Sequence, residues 1–171
     1  MYFNKFLIQY LIMDENLIIE RIKHTNFNEF LFLVDKLAEY EKLTPPDNKA
    51  KIRLKKDGLS KNPKYEAYLG KKDDRYMGYV IFFMSYSSFL AKPVLYLEDI
   101  FVLKEHRKTG IGQKLFNFIV SLAKEKDCGR IEWHVLDWNQ TGIKFYEENN
   151  AKHLSNWLYY RLTSDQFENF K

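Results

Sequence analysis

A short stretch near the middle of the chain, "EHRKTGIGQKLFNFI" from Glu105, limits the fold most because it joins a glycine loop to a helix. Gly110 and Gly112 stand two residues apart among basic side chains, and an apolar pattern with helical spacing follows them. The first backbone N–H groups of a helix have no internal acceptors, and the helix dipole favours negative charge there. The stretch therefore predicts an anion site, commonly a phosphate site, at the start of a helix over residues 110–126.

The rest of the chain divides into strand patterns and helix patterns. Apolar and β-branched runs predict strands at residues 16–24, 65–72, 76–86, 93–103, 130–138 and 153–162, and amphipathic runs predict further helices at 26–43, 48–58 and 139–150. Asp73 and Asp74 predict a turn between two of the strands. Because strands and helices alternate only in the second half, we expect an α/β (α+β) fold with a mixed, mostly antiparallel central sheet flanked by helices.

Length and composition favour a single domain, residues 1–171, with residues 1–13 as an N-terminal extension. That extension is either an extra helix or sequence upstream of a natural start at Met13. The net charge of +4 suits a polyanionic small molecule and is too small for a nucleic-acid surface. The single Cys128 excludes an internal disulfide and a thiol-based metal site, so we expect no metal and a cytoplasmic setting. No apolar run approaches the roughly 20 residues that span a bilayer, so we expect no membrane partner.

A long strand with an acidic pair, followed by R-x-x-G-x-G at the start of a helix, resembles the acyl-CoA-binding motif of the GCN5-related N-acetyltransferase (GNAT) superfamily. The motif here is "LYLEDIFVLKEHRKTGIG", and "VLDWNQTGIKFYEENNA" follows where that superfamily has its next strand and helix. "LAEYEKL", "YLEDIFV" and "VLDWN" resemble the diamine acetyltransferases, namely the spermidine/spermine N1-acetyltransferases and their thialysine-acetylating relatives. The resemblance extends over residues 17–162. It implies a homodimer that transfers an acetyl group from acetyl-CoA to a primary amine of a small diamine, polyamine or lysine-like amino acid (thialysine), by direct attack.

The same resemblance implies roles for individual residues. An alkylamine has a pKa near 10 and must lose a proton before it attacks. In the family the strand bulges at the acidic pair, which implies Glu98 as the catalytic acid that faces the substrate, and Tyr146 as the group that protonates the departing thiolate. Without the family, strand alternation would make one acid structural, and Tyr146 would be a core residue. The implied substrate-binding residues are Tyr40, Glu41, Glu98 and Asp99. The implied cofactor-binding residues are Ile100, Phe101, Val102, Arg107, Lys108, Thr109, Gly110, Ile111, Gly112, Gln113, Asn139, Gly142 and Tyr146.

Three departures from the family pattern affect these expectations. Lys108 stands where relatives usually have glycine, and it adds a cation that faces the phosphates. Asn150 replaces the usual glycine after the cofactor helix, and asparagine tolerates the left-handed conformation that a helix stop needs. The segment before Trp157 is short and lacks the acidic pair with which the polyamine enzymes hold their substrate, which disfavours long polyamines.

Other functions stay open from sequence alone. The chain could be a non-catalytic acyl-CoA-binding module, or it could acetylate an amine on a protein. The basic run "KAKIRLKKDGLSKNPK" raises nucleic-acid binding, but we interpret the run as a solvated helix with its loop and expect no nucleic-acid partner.

Overall fold

The computed structural model describes residues 17–168 and 170, so the predicted N-terminal extension, residues 1–13, lies outside the described residues. The chain forms two compact units, one that ends at His134 and one that runs from Val135 to Lys171. The expectation of one domain over residues 1–171 stays a prediction. The elements of the first unit are β1 (Ile18–Arg21), α1 (Phe27–Glu41), α2 (Asn48–Gly58), β2 (Glu66–Lys72), β3 (Arg75–Ser87), β4 (Lys92–Val102), α3 (Ile111–Glu125) and β5 (Arg130–Glu132). The second unit contains α4 (Gln140–Glu148) and α5 (Ser164–Phe167).

The first unit is built on a five-stranded sheet in the order β1-β2-β3-β4-β5. The first four strands pair antiparallel, and β5 pairs parallel to β4. The predicted mixed, mostly antiparallel sheet is therefore confirmed. Ala67 and Leu69 of β2 pack in the core cluster that contains α1, whereas Tyr68 between them contacts Phe118 of α3. Because neighbouring strand residues point to opposite faces, α1 and α3 cover opposite faces of the sheet.

The core under α1 explains why its sequence folds as a helix. Phe27, Phe30 and Leu33 recur at helical spacing and are almost completely buried. The Phe30 ring meets the rings of Phe27 and Tyr79 edge to face, each at a centroid distance of 5.4 Å. Burial of one such side chain stabilises the fold by about 1.5–3 kcal/mol. These contacts fix α1 on the sheet face that also carries the acidic residues described below.

The helix ends follow local signals in the sequence. α1 stops at its C-cap residue Lys42, which adopts a left-handed φ of 59°. Asp47 caps α2 by accepting a hydrogen bond from the Ala50 N–H at 2.7 Å. The predicted turn between β2 and β3 is confirmed, because Asp73 and Asp74 both have positive φ. No helix of the described residues has the length and apolar composition that crossing a membrane requires.

Two predicted strands differ from the structure. β5 covers Arg130–Glu132 instead of residues 130–138, and its ladder ends where Tyr96 pairs with Glu132, two residues before a bulge in β4. A bulge bends its strand, which ends regular pairing nearby. The predicted final strand at residues 153–162 is wrong. A turn at Ser155–Asn156, closed by a hydrogen bond from the Trp157 N–H to the Leu154 carbonyl, interrupts that segment.

Candidate functional site

The acidic pair on β4 lies at a β-bulge. Asp99 pairs with Ile81 of β3, the next pair joins Leu97 to Phe82, and Glu98 is the extra residue between them. The bulge reverses the alternation of side chains along β4. As a result, Leu97 shares the α3 face of the sheet with Phe82, and Asp99 shares the α1 face with Ile81. Glu98 itself is exposed. The bulge that the family resemblance implied is present.

Asp99 is held in a mostly buried position by a tyrosine. The Tyr79 hydroxyl donates a hydrogen bond to Asp99 Oδ2 at 2.9 Å. Burial raises the pKa of Asp99 to about 7, the hydrogen bond from Tyr79 opposes that shift, and the negative charges of Glu98 and Glu41 add to it. Burial also raises the pKa of Glu41 at the end of α1. The structure thus brings together three of the four predicted substrate-binding residues, Glu41, Glu98 and Asp99, within electrostatic reach of one another.

The fourth predicted substrate-binding residue, Tyr40, belongs to an aromatic contact with the basic loop. The ring centroids of Tyr40 and Phe101 are 6.4 Å apart. The Arg107 guanidinium lies 4.3 Å from the Tyr40 centroid and 5.7 Å from that of Phe101, and Arg107 Nε donates to the Val102 carbonyl at 3.0 Å. A cation over an aromatic face contributes about 0.5–2 kcal/mol. Arg107, expected from the sequence to bind the cofactor, thus ties the loop to β4 and to the end of α1.

The loop before α3 has the backbone that an anion site requires. Gly110, the N-cap of α3, has a φ of 86°, which favours glycine. The Lys114 N–H donates to the Gly110 carbonyl at 3.1 Å, so the N–H groups of Ile111 and Gly112 precede the first helical hydrogen bond. A Cβ added at Gly112 would meet nothing closer than Val102 Cγ2 at 3.8 Å, which leaves open space over those donors. The residues present fit a phosphate group.

Lys108 and Thr109, the two residues before Gly110, also belong to this loop. Thr109 Oγ1 donates a hydrogen bond to the His106 carbonyl at 2.7 Å, which closes the loop on itself. Lys108 adopts a left-handed φ of 62°. That conformation costs a residue with a side chain about 1–2 kcal/mol, and a glycine there would avoid the cost. The positive charge at position 108 therefore comes with backbone strain.

The edge of β4 offers backbone groups to an extended ligand. β5 pairs with β4 only from Val94 to Tyr96. From Leu97 to Val102, no strand of the described residues pairs with that edge. Alternate N–H and C=O groups of a strand point to each side, so this edge can hydrogen-bond an amide-containing arm in β-fashion. The predicted contacts at Ile100, Phe101 and Val102 need such an edge.

The remaining predicted site residues lie on α4 in the second unit. Asn139 caps this helix, because its Oδ1 accepts from the Gly142 N–H at 3.0 Å. Tyr146 lies one residue after Phe145, and the two ring centroids are 5.4 Å apart. Asn150 has a φ of 60° just beyond the helix, as predicted for the residue that replaces glycine. The two predicted catalytic residues, Glu98 and Tyr146, therefore belong to different units.

Tyr79 is a residue of this site that the sequence did not predict. An apolar pattern along "YMGYVIFFMSY" makes it one more core residue, and its partner Asp99 is 20 residues away in sequence. The available signal was the antiparallel pairing of β3 with β4. That pairing places Tyr79 two residues from the partner of Asp99, on the same face, once the bulge is included.

Comparisons with known proteins agree on one family. The model of the acetyltransferase (GNAT) family matches residues 28–150. The L-ornithine N5-acetyltransferase of Arabidopsis thaliana is 39% identical over 109 residues, which is 63% of this chain and 48% of that protein. The chain thus spans about half the length of this relative. The thialysine N-epsilon-acetyltransferase of Bos taurus is 30% identical over 145 residues, which is 80% of this chain and 85% of that protein.

Solved structures share the fold at lower identity. An integron cassette protein from V. cholerae superposes with a TM-score of 0.76 at 19% identity, covering 90% of this chain and 96% of that one. The structure of AAC(6')-Iy in complex with the bisubstrate analog CoA-S-monomethyl-acetylneamine gives a TM-score of 0.73 at 17% identity, covering 87% of this chain and 99% of that one.

Proposed function

We propose, since this chain belongs to the acetyltransferase (GNAT) family, that it acetylates the terminal primary amine of a small diamine or of a lysine-like amino acid. The family match and the named relatives confirm that the chain is an acetyl-CoA-dependent N-acetyltransferase, as predicted from the sequence. The observation that carries the choice of acceptor is the group of three acids, Glu41, Glu98 and Asp99, gathered at the bulge of β4. An acceptor that arrives as an ammonium ion is attracted by such a group.

The relatives support an amino acid with a terminal amine. One is named for ornithine and another for thialysine, and both of these compounds carry an amine at the end of a short aliphatic chain. Tyr40 and Glu41, at the end of α1, would receive the second charged group of such a substrate. Long polyamines fit less well, because the segment before Trp157 lacks the acids expected of a polyamine enzyme.

Acetyl-CoA would bind along β4 and the loop before α3. Its pyrophosphate would accept hydrogen bonds from the backbone N–H groups of the loop from Arg107 to Gln113, and Lys108 would add a positive charge. Its amide-containing arm would lie along the edge formed by Ile100, Phe101 and Val102, with Asn139 and Gly142 as further contacts. When bound, acetyl-CoA supplies the acetyl group as a thioester.

Acetyl transfer needs two kinds of proton transfer, one from the acceptor amine and one to the departing thiolate. Glu98, exposed at the bulge, attracts the acceptor ammonium and assists its deprotonation, which a group with a pKa near 10 requires before attack. Tyr146 donates its hydroxyl proton to the departing thiolate. The attack is direct, because burial raises the pKa of the Cys128 thiol and so disfavours the thiolate that a covalent route would need. The homodimer and the cytoplasmic setting remain predictions of this proposal.

The test is steady-state acetylation with a panel of amines at saturating acetyl-CoA. We expect lysine, ornithine, thialysine or a short diamine to exceed spermine in kcat/KM. A Glu41→Gln variant should lose more activity toward acceptors with a second amine than toward a simple alkylamine, because only the former place a charge near α1. If spermine is the best acceptor, the assignment of the acids is wrong. If no small amine is acetylated while acetyl-CoA binds, a protein amine or a non-catalytic role replaces this function.

A further inference from the structure

Tyr79 is a core residue whose polar end lies beside the acid group. Its side chain is completely buried, and its ring packs against Phe30 of α1. A buried hydroxyl needs a hydrogen-bond partner, and a backbone carbonyl usually serves. Tyr65, which contacts the same Phe30 ring, donates to the Leu54 carbonyl at 2.8 Å in this ordinary way. Tyr79 donates instead to a carboxylate, Asp99 Oδ2, at 2.9 Å.

The position of Asp99 gives that hydrogen bond a chemical consequence. The bulge at Glu98 puts Asp99 on the sheet face that α1 covers, where its side chain is mostly buried. Each element packed around it contributes an ionisable group: Glu41 from α1, Tyr79 from β3 and Glu98 from β4 itself. The Arg107 guanidinium lies on the rings of Tyr40 and Phe101, at 4.3 and 5.7 Å from their centroids. Tyr79 is thus the group that fixes one Asp99 oxygen by donating a hydrogen bond.

We propose that Tyr79 is a positioning residue that holds Asp99 as the acceptor of the proton which the substrate ammonium must lose. This inference rests on the proposed function and sharpens it: Glu98 supplies the charge that attracts the ammonium, and Asp99 takes the proton. In that step an N–H bond of the ammonium breaks and an O–H bond forms on the Asp99 carboxylate. The electron pair stays on nitrogen, which then attacks the acetyl carbonyl. As the C–S bond breaks, nitrogen loses its second proton to solvent, and the thiolate sulfur takes the proton that Tyr146 donates and solvent replaces. The proton leaves Asp99 for water after the product departs.

The protonation behaviour of Asp99 suits this role. Burial raises its pKa to about 7, the hydrogen bond from Tyr79 limits the rise, and Glu98 and Glu41 increase it. An ammonium with a pKa near 10 is then about three pKa units from its proton acceptor, compared with about six units for an ordinary carboxylate. A general base works best when its pKa lies near the working pH. Asp99 is therefore better matched to the step than an exposed acid of ordinary pKa.

The test compares Tyr79→Phe with Tyr65→Phe in the full-length protein. Both variants remove the hydroxyl of a tyrosine whose ring contacts Phe30, but only the first removes a hydrogen-bond donor from Asp99. A hydrogen bond to a charged group is equivalent to about one to two pKa units, so Tyr79→Phe should move the acid limb of the kcat/KM profile up by about one unit. Activity should then fall about eightfold near pH 6.5 and less than about twofold near pH 9. Tyr65→Phe should leave the limb in place.

Carboxyl ¹³C NMR titration of Asp99, assigned with an Asp99→Asn variant, gives a second readout that does not need activity. The Asp99 pKa should rise in Tyr79→Phe and stay unchanged in Tyr65→Phe. A folded Tyr79→Phe protein with an unmoved acid limb overturns the proposal, even if the NMR titration shifts, because Asp99 is then not the proton acceptor. An unmoved NMR titration overturns the positioning role. A wild-type protein that acetylates no amine in the panel contradicts the proposed function, and the role of Asp99 in catalysis fails with it.

Discussion

At the scale of single residues, Asp99 shows how the fold changes the chemistry of an ordinary side chain. Exposed aspartate has a pKa near 3.9. In this chain the burial of Asp99, opposed by the Tyr79 hydrogen bond and reinforced by Glu98 and Glu41, raises its pKa to about 7. The protonated form is therefore favoured in the folded state more than in the unfolded state. This difference must appear as a pH-dependent contribution to stability.

The sign of that contribution follows from the raised pKa. Folding takes up a proton at Asp99 between about pH 4 and pH 7, so its contribution to stability is present below pH 4 and is lost as pH rises to about 7. A difference of about three units corresponds to at most about 4 kcal/mol. We expect the free energy of unfolding of the wild-type protein to fall by about 2–4 kcal/mol relative to that of Asp99→Asn across this range. Urea unfolding at several pH values measures it, and equal pH slopes for the two proteins would show that Asp99 titrates normally.

Tyr146 provides the second prediction at this scale. If its hydroxyl protonates the departing thiolate, Tyr146→Phe should lower kcat while acetyl-CoA binding stays nearly intact, because the ring remains. General acid catalysis contributes about 10²–10⁴-fold, and a thiolate leaves readily, so we expect a loss of about 10²-fold. Single-turnover rates separate this effect from product release. Tyr86→Phe, at an exposed position on β3, is the matched control. Full single-turnover activity in Tyr146→Phe would make the residue a packing group only.

Several residue-level features were predictable because they depend on local backbone chemistry. Asn150 takes the left-handed conformation expected of a glycine replacement, and Asp73 and Asp74 form the expected turn. Gly58 ends α2 at the predicted boundary, residue 58. Its φ is not left-handed, and a Cβ there would lie 2.5 Å from the Tyr65 ring. The link between Tyr79 and Asp99 was missed because it depends on strand register, which the pattern within one strand does not contain.

At the scale of elements, the start of α3 and the loop before it together form the backbone site that we propose for a phosphate group. Gly110 supplies the left-handed conformation, Arg107 anchors the loop to Val102, and the helix presents the N–H groups of Ile111 and Gly112. Backbone donors at a helix start bind phosphate only where no side chain obstructs the approach. The sequence motif predicted the glycine loop and the helix start because both lie within residues 107–113, but it did not predict the hydrogen bond from Arg107 to Val102.

Gly112→Val tests the element directly. A Cβ at this position makes only an ordinary contact with Val102, so the variant should fold. We expect acetyl-CoA to raise the melting temperature of the wild-type protein. The valine side chain would occupy the space above the backbone donors, so this rise should disappear in the variant. Ser121→Val introduces the same β-branched side chain at an exposed position on α3 and should keep the rise. A folded Gly112→Val protein with an unchanged ligand-induced shift would contradict the phosphate assignment.

The two strands that differ from prediction show what an element needs beyond its own sequence. "RIEWHVLDW" and "HLSNWLYYRL" have strand-like composition, but a strand also needs the backbone of a neighbour. β5 pairs with three residues of β4, and the pairing ends at Glu132. Ser155 and Asn156 form a turn instead, a conformation that both residue types favour. Side-chain patterns alone could not decide either case.

At the scale of the whole molecule, the proposed function assigns a task to each compact unit. The unit that ends at His134 carries the acids, the edge of β4 and the loop before α3. The unit from Val135 to Lys171 carries Asn139 and Tyr146 on a capped helix. The family match, residues 28–150, includes residues of both units.

Identification of the acetylated product tests most directly the central claim, that the chain acetylates the terminal nitrogen of a small amine. The purified chain is incubated with acetyl-CoA and the best acceptor of the amine panel, and NMR of the product locates the new amide. The account predicts an acetyl group on the terminal nitrogen of a small amine, with CoA released in equal amount. Glu98→Gln should form the same product with a higher KM and a lower kcat, partly restored at high pH where more amine is neutral. CoA release without an acetylated amine, or acetylation confined to a protein, would contradict the account.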